Sequence, residues 1–345
     1  MTVAGQGSPF FDSPEQFLTV GHGLAARGKG EAARAWVMDG LAANPGSKLH
    51  RELGRLILSH GMDDFHLGML QDSRRNALYR QAIEKVAPGR VVLDIGTGSG
   101  LLSMIAARAG AERVVTCEFT PTMAATARAI IAANGLADRI TVHDCHSNRL
   151  DRDRDLAGGA DLVVSEIFAS DVVGESMQPS LEHARTHLCR PDALFVPPAG
   201  QAVVVLACDP HEPGPLGEVE GFDLSALNGH LEPMRRVKAW DPDLVLCSEP
   251  ADLFSFAYRA GEPIAQTGRA SVRLAARGGR VTGVLQWLRI DFGDGLVYEN
   301  APGPDRTPHW ELFYHPFDNP RDLSPGELVE VHGFFHRHAM VVWAD

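Results

Sequence analysis

Apolar residues recur along this chain at two different periods, and the switch between them divides it. Over 14–26 and 30–43 they return every three or four positions, which predicts two amphipathic helices closed by the Asn44-Pro45-Gly46 turn. A linking helix is expected over 61–88, with Tyr79 and Ile83 among its periodic positions. From 89 to about 196, short β-branched runs alternate with helical stretches. The strands predicted there are 91–95, 113–117, 139–143, 160–165 and 193–196, and such alternation builds a largely parallel sheet with helices on both faces. Pro197-Pro198 ends this half. Strand-like segments then follow at 201–208, 253–257, 270–275, 280–291 and 327–343, separated by glycine and proline turns. That is the pattern of an antiparallel barrel-like or sandwich domain. Residues 221–240 are less regular and are expected to project as an arm.

The expected organisation is thus α/β: an N-terminal helical cap over 1–60, a Rossmann-like domain over 61–197 and a β-barrel-like domain over 198–345. Gly21, Ala33 and Pro45 fall where a tetratricopeptide unit places its small residues and terminal proline. One such unit cannot bury its own apolar face, so the cap is expected to pack on its neighbour; an ordinary helical hairpin would look the same.

Composition narrows the classes. No apolar run is long enough to span a membrane, and no secretory signal is visible at the N-terminus. The five cysteines are scattered and never paired as C-x-x-C, which favours a reducing, cytoplasmic compartment and argues against a structural zinc site. A formal net charge of −12 disfavours nucleic acid as a partner and favours cationic substrates. Only four lysines occur among abundant arginine and alanine, a bias typical of GC-rich bacterial genomes.

The chemistry starts at Asp94-Ile95-Gly96-Thr97-Gly98-Ser99-Gly100, with Glu118 at the end of the next predicted strand. Glycines at a strand-to-helix turn let backbone N–H groups approach a ligand, and an acid at the tip of the second strand suits a ribose diol. A nucleoside-bearing cofactor follows. The G-x-G-x-G spacing departs from the G-x-G-x-x-G of nicotinamide and flavin enzymes and resembles the first motif of S-adenosylmethionine-dependent methyltransferases of the seven-strand type.

Further along, Ser165-Glu166-Ile167-Phe168 ends a predicted strand, and Gly174-Glu175-Ser176-Met177 returns a second glutamate nine positions later. This resembles the double-glutamate loop of the protein arginine methyltransferase family. Three other segments carry the same resemblance: His66 to Tyr79, which includes Met69, Asp72 and Arg75; Pro308-His309-Trp310, where the family has Thr-His-Trp; and Gly221-Phe222-Asp223-Leu224-Ser225 beside the arm. The resemblance runs from about 60 to 345 and is nearest to the mono-methylating, tetratricopeptide-bearing subgroup. The family's Tyr-Phe-x-x-Tyr helix is not evident before His66.

The resemblance implies an S-adenosylmethionine-dependent arginine Nω-methyltransferase whose product is monomethylarginine. A guanidinium is a poor nucleophile because its lone pairs are delocalised, and two carboxylates can hold its planar fork and draw charge away from the nitrogen that attacks. Glu166 and Glu175 take that role. His309 and Asp72 would form a relay that removes the proton. For the cofactor, Gly96, Gly98, Gly100 and Asp94 form the turn, Glu118 holds the ribose, Arg75 meets the methionine carboxylate, and Ser147 and Asn148 lie near the adenine. Met69, Met177 and Trp310 are expected around the reacting nitrogen. No metal is implied. Free L-arginine is the expected substrate and arginine in a protein or peptide the alternative; a non-catalytic methyltransferase-like scaffold is a remote one. A homodimer built through the arm is implied by the same resemblance.

Overall fold

The computed structural model describes residues 10–59, 65–212, 214–304 and 308–345. Residues 1–9 and 60 of the expected cap, and 61–64 of the expected linking helix, lie outside them. The chain groups into two compact units. The first comprises residues 10–59, 65–70, 79–166 and 183–196; the second comprises 71–78, 167–182 and the described residues from 197 on.

The first unit opens with three helices, α1 (Pro14–Ala26), α2 (Gly30–Ala43) and α3 (Lys48–Leu58). Ser13 and Ser47 cap α1 and α3 by accepting the N–H groups of Gln16 and His50. Their shared core is Phe11, Phe17, Trp36, Val37 and Ile57. The Trp36 indole N–H donates to the Phe17 carbonyl at 2.9 Å, so the one polar atom of that ring is satisfied. Close helix crossings explain the small residues: a Cβ on Gly40 would lie 2.2 Å from the Phe17 ring. The trio packs on the parallel-sheet region as expected. Gly30 abuts the backbone of Pro121, and Arg128 pairs with Glu31 at 2.7 Å.

After α4 (Phe65–Gln71) and α5 (Ser73–Val86) come β1 (Val91–Ile95), α6 (Leu101–Arg108), β2 (Arg113–Glu118), α7 (Pro121–Ala133), β3 (Ile140–Asp144), α8 (Arg152–Leu156) and β4 (Ala160–Ser165). α9 (Met177–His183) and β5 (Cys189–Val196) follow. The sheet order is β3-β2-β1-β4-β5, all parallel. This is the doubly wound order, whose switch point between β1 and β4 marks a ligand crevice at the strand C-termini. The sheet has the five predicted strands and ends where the chain leaves it at Pro197-Pro198 for the antiparallel sheets. The linking helix is not continuous. It breaks at Asp72, whose carboxylate accepts the Arg75 N–H at 2.9 Å and so starts α5 as a new helix.

In the second unit, β6 (Ala199–Cys208) is followed by the hairpin β7 (Glu218–Val219) and β8 (Phe222–Asp223), then β9 (Arg235–Val237), β10 (Val245–Leu246) and β11 (Ala251–Ala257). Next come β12 (Thr267–Ala275), β13 (Gly279–Asp291), β14 (Val297–Glu299), β15 (Leu312–Leu323), β16 (Leu328–His336) and β17 (Ala339–Ala344). Their ladders form an antiparallel seven-stranded sheet and a three-stranded one, β12-β16-β17. The two meet at Phe254, Phe256 and Phe335, whose rings contact edge to face. β15 escapes the periodicity because Pro316 and Pro320 read as strand breakers. Pro316 is tolerated opposite Gly283, where the β13–β15 register shifts. In the arm region, Phe222, Leu227 and Leu231 are exposed.

Two glycine substitutions should separate contact from propensity. Gly30→Ala would bring a Cβ to 2.0 Å from the Pro121 carbonyl oxygen and should cost about 1–3 kcal/mol. Gly23→Ala in α1 meets nothing within 4 Å and should add about 0.5–1 kcal/mol. Urea denaturation measures both; equal midpoints would contradict the packing of the helical trio on α7.

Candidate active site

Candidate residues gather in two groups, one in each unit. In the first unit they sit at the C-terminal ends of the parallel strands. Gly96, Gly98 and Gly100 all have positive φ (83°, 51° and 83°), a sequence of conformations that side-chain-bearing residues resist. This folds the turn back on β2, where the Gly96 and Thr97 N–H groups donate to the Cys117 carbonyl. Space is open beside Gly98, with nothing within 4 Å of where its Cβ would be. Gly100 starts α6, so the turn feeds a helix N-terminus.

Two carboxylates hold this turn. Asp94 is buried and accepts from Ser103 Oγ at 2.5 Å, tying β1 to α6. Thr116 donates to the Asp94 carbonyl and contacts the Thr97 hydroxyl. Glu118 accepts from the Gly98 N–H at 3.0 Å and from the Thr120 N–H at 2.8 Å. Its side chain thereby fixes both the glycine turn and the start of α7. Beyond β3, Asn148 is exposed, whereas Ser147 is 2 % exposed and its hydroxyl has no hydrogen-bond partner. A buried hydroxyl without a partner just beyond the end of a strand is a candidate ligand contact, since burying it without a bond is unfavourable. Glu166 follows β4 directly and is half-buried. The Tyr79 hydroxyl donates to the Ser165 carbonyl at 3.0 Å and so fixes the backbone on which Glu166 is carried. Met69 in α4 is buried.

In the second unit His309 and Asp72 come together. His309 Nδ1 donates to Asp72 Oδ2 at 3.3 Å, and both side chains are nearly inaccessible. Sequence reasoning missed the third member. The Tyr298 hydroxyl donates to the same Asp72 oxygen at 2.6 Å. Burial alone would raise the Asp72 carboxyl, but hydrogen bonds from His309, Tyr298 and the Arg75 N–H outweigh it and hold the group at about 2. Burial and the bond to Asp72 push the Tyr298 phenol far up, so it stays a donor. The Arg74 guanidinium lies over the Tyr298 ring, 5.5 Å from its centre. Tyr298 occupies a three-residue strand and carries no motif; only the short apolar-polar alternation around it could have been noticed.

Arg75 is 2 % exposed and donates to Asn76 Oδ1 at 2.8 Å. Trp310 is buried edge-on to Tyr298, and its indole N–H donates to the Phe168 carbonyl at 2.8 Å. It therefore anchors the start of the 167–176 loop as well as flanking His309. In that loop Glu175 is exposed, with φ at 22°, and Met177 is fully buried. Among the described residues no group of three or more His, Cys, Asp or Glu side chains could hold a metal ion, and no helix is long and apolar enough to cross a membrane.

The chain resembles one described family, two named relatives and two solved structures. The family described as ribosomal protein L11 methyltransferase (PrmA) matches residues 77–186. An arginine N(omega)-methyltransferase from Streptomyces achromogenes subsp. streptozoticus is 38% identical over 274 residues, covering 77% of this chain and 74% of that protein. Protein arginine N-methyltransferase 7 of Oryza sativa subsp. japonica is 33% identical over 266 residues, 69% of this chain but 36% of the rice protein. Two solved structures share the fold. The Trypanosoma brucei PRMT1 enzyme–prozyme heterotetrameric complex with AdoHcy has a TM-score of 0.70 at 23% identity, covering 83% of this chain and 99% of that one. Arabidopsis thaliana protein arginine methyltransferase 10 has a TM-score of 0.65 at 17% identity, covering 84% and 98%.

The acid response of Asp72 tests the three-residue cluster. A carboxyl held below its ordinary value adds stability that is complete above the unfolded value of 3.8 and is lost as pH falls toward about 2. Removing a donor with Tyr298→Phe brings the folded value closer to the unfolded one, so less stability should be lost across that window. Denaturant midpoints measured between these pH values check this; parallel curves for the two proteins would sink the assignment.

Proposed function

Because the chain belongs to the protein arginine N-methyltransferase family, we propose that its acceptor is free L-arginine and its product Nω-monomethylarginine. It is an S-adenosylmethionine-dependent arginine N-methyltransferase. The observation that carries free arginine as substrate is the name of the Streptomyces relative, which specifies arginine and not protein arginine. The lysine-poor, arginine-rich composition points to the same bacterial setting.

The residues fit the cofactor on two counts: Ser147 offers a buried, unpartnered hydroxyl, and the opening beside Gly98 is one that any side chain would fill. When bound, S-adenosylmethionine supplies an electrophilic methyl on a sulfonium. The turn at 96–100 with Asp94 and Glu118 would hold its nucleoside end, Ser147 and Asn148 its base, and Arg75 its carboxylate. Glu166 and Glu175 would clamp the guanidinium and leave one nitrogen with the electron density to attack. Orienting two reactants in this way is worth on the order of 7–11 kcal/mol. The leaving proton passes to His309, whose imidazolium Asp72 stabilises while Tyr298 keeps Asp72 in place. Met69, Met177 and Trp310 would bound the space around the acceptor, and close boundaries there favour a single methylation.

A homodimer through 221–240 is part of the same proposal. The exposed Phe222, Leu227 and Leu231 support it, because an apolar cluster of that kind gains by being covered. The free thiols suit a reducing cytoplasm. Sedimentation at micromolar concentration is expected to give twice the chain mass.

Labelled S-adenosylmethionine offered with free L-arginine or with an Arg-Gly-rich peptide decides the acceptor. Label on free arginine, with one methyl by mass spectrometry, is expected; label on the peptide alone overturns the free-arginine reading. Glu166→Gln should lower kcat/KM for arginine roughly 10- to 100-fold, with S-adenosylhomocysteine binding retained. Ser147→Ala should weaken that binding about fivefold, read by calorimetry.

A further inference from the structure

The loop that carries Glu175 is the most strained segment of the second unit. Val172, Glu175 and Ser176 all have positive φ (73°, 22° and 62°), and none of them is glycine. A β-branched residue such as Val172 is a steric outlier there. Backbone in such conformations costs free energy and persists only where its surroundings over-determine it.

The surroundings converge on Asp171. Its side chain is buried, its carboxylate accepts the Gly174 N–H, and the backbone N–H groups of Val173, Asp171 itself and Met340 lie close enough to favour its charged form. The Gly174 bond is 2.7 Å. Three of these N–H groups lie inside the loop; the fourth lies on β17, so the carboxylate also ties the loop to the C-terminal hairpin. Nearby, Ser176 Oγ and His338 Nδ1 are 3.1 Å apart, a second link between the same two segments. The Val172 N–H donates to the Ala169 carbonyl at 2.8 Å and closes the turn from the other side. Val172 itself is fully buried, and a Cβ on Gly200 would touch it at 3.4 Å. Gly174 has no room for a side chain, since its Cβ would lie 2.1 Å from that of Ala169. Burying a carboxylate is unfavourable unless hydrogen bonds compensate. Backbone donors offset part of that cost at the base of the turn that presents Glu175, and burial still holds the Asp171 carboxyl above its ordinary value.

We propose that Asp171 is a positioning residue for guanidine binding: its carboxylate locks the strained turn at 172–176 onto the C-terminal hairpin and thereby sets the direction of Glu175. The proposal rests on the reading of Glu175 as a guanidinium-binding group. Asp171 touches neither substrate nor cofactor in this role. A carboxylate is suited to it because its two oxygens have about four acceptor sites and no donor. Asparagine keeps one oxygen but sets an NH₂ against N–H donors, and alanine keeps nothing.

The test compares wild type, Asp171→Asn and Asp171→Ala. Arginine KM should rise in that order, by about 10-fold or more in Asp171→Ala, with kcat reduced and S-adenosylhomocysteine affinity within about twofold of wild type. Hydrogen exchange should show the Val173 and Gly174 N–H groups protected in wild type and exposed in Asp171→Ala. Unchanged arginine KM, with activity lost only in proportion to unfolded protein, overturns the proposal. Should Asp171→Ala not fold, Gly174→Ala displaces the same turn; its KM defect should be relieved by adding Ala169→Gly, and absence of any defect counts against the proposal. A wild type that methylates no arginine, but whose Val173 and Gly174 protection depends on Asp171, overturns the guanidine reading while leaving the lock in place.

Discussion

Much of the second unit's candidate chemistry depends on one carboxylate. Asp72 ends one helix and begins the next, and in doing so it spends Oδ1 on the backbone of α5. Its other oxygen takes both the Tyr298 hydroxyl and His309. A helix terminus, a short strand and a loop are therefore registered on a single group. Charge-assisted bonds of this kind are about twice as strong as neutral ones. Here they do more than stabilise: a carboxylate held near the bottom of its range is ionised at every working pH, so its negative charge can balance the positive charge of the imidazole beside it when that ring takes up a proton.

The first unit follows a different logic. Its candidate cofactor turn is made from backbone, and the carboxylates around it hold that backbone still. Glu118 shows this well. Its place in the sequence suits ribose hydroxyls, and its carboxylate also joins Gly98 to Thr120, which sets the glycine turn against the start of α7. Asp94 does the same for β1 and α6 through Ser103. Accepting hydrogen bonds from the protein leaves carboxylate lone pairs to spare, so support and ligand binding are compatible in one side chain.

What could be read from the chain and what could not divides along sequence separation. The glycine turn, Glu118, the two glutamates and the parallel strands were legible because each is written in consecutive residues with fixed spacing. The break at Asp72 was also written locally, as an aspartate three positions before its N–H partner, and a capping signal was there to be used. Tyr298 was not legible: its partner lies 226 positions away, and nothing in Val297-Tyr298-Glu299 signals that distance. β15 was hidden for a different reason, since its prolines obey the strand rule only once the glycine opposite is known. Nothing in the sequence around Asp171 distinguishes it from an ordinary loop aspartate. Its function as an anchor depends on four N–H groups, one of them far along the chain on β17.

That last donor gives the chain a direction in time. During synthesis the 167–176 loop emerges well before residue 340, so its buried carboxylate at first lacks a neighbour it has in the folded protein. Met340 follows only after nearly all of the antiparallel sheets have left the ribosome. Until then the turn that bears Glu175 lacks its contacts with the C-terminal hairpin. The C-terminal hairpin thus acts as a completion check, because a prematurely terminated chain would carry both glutamates without the tie that fixes one of them.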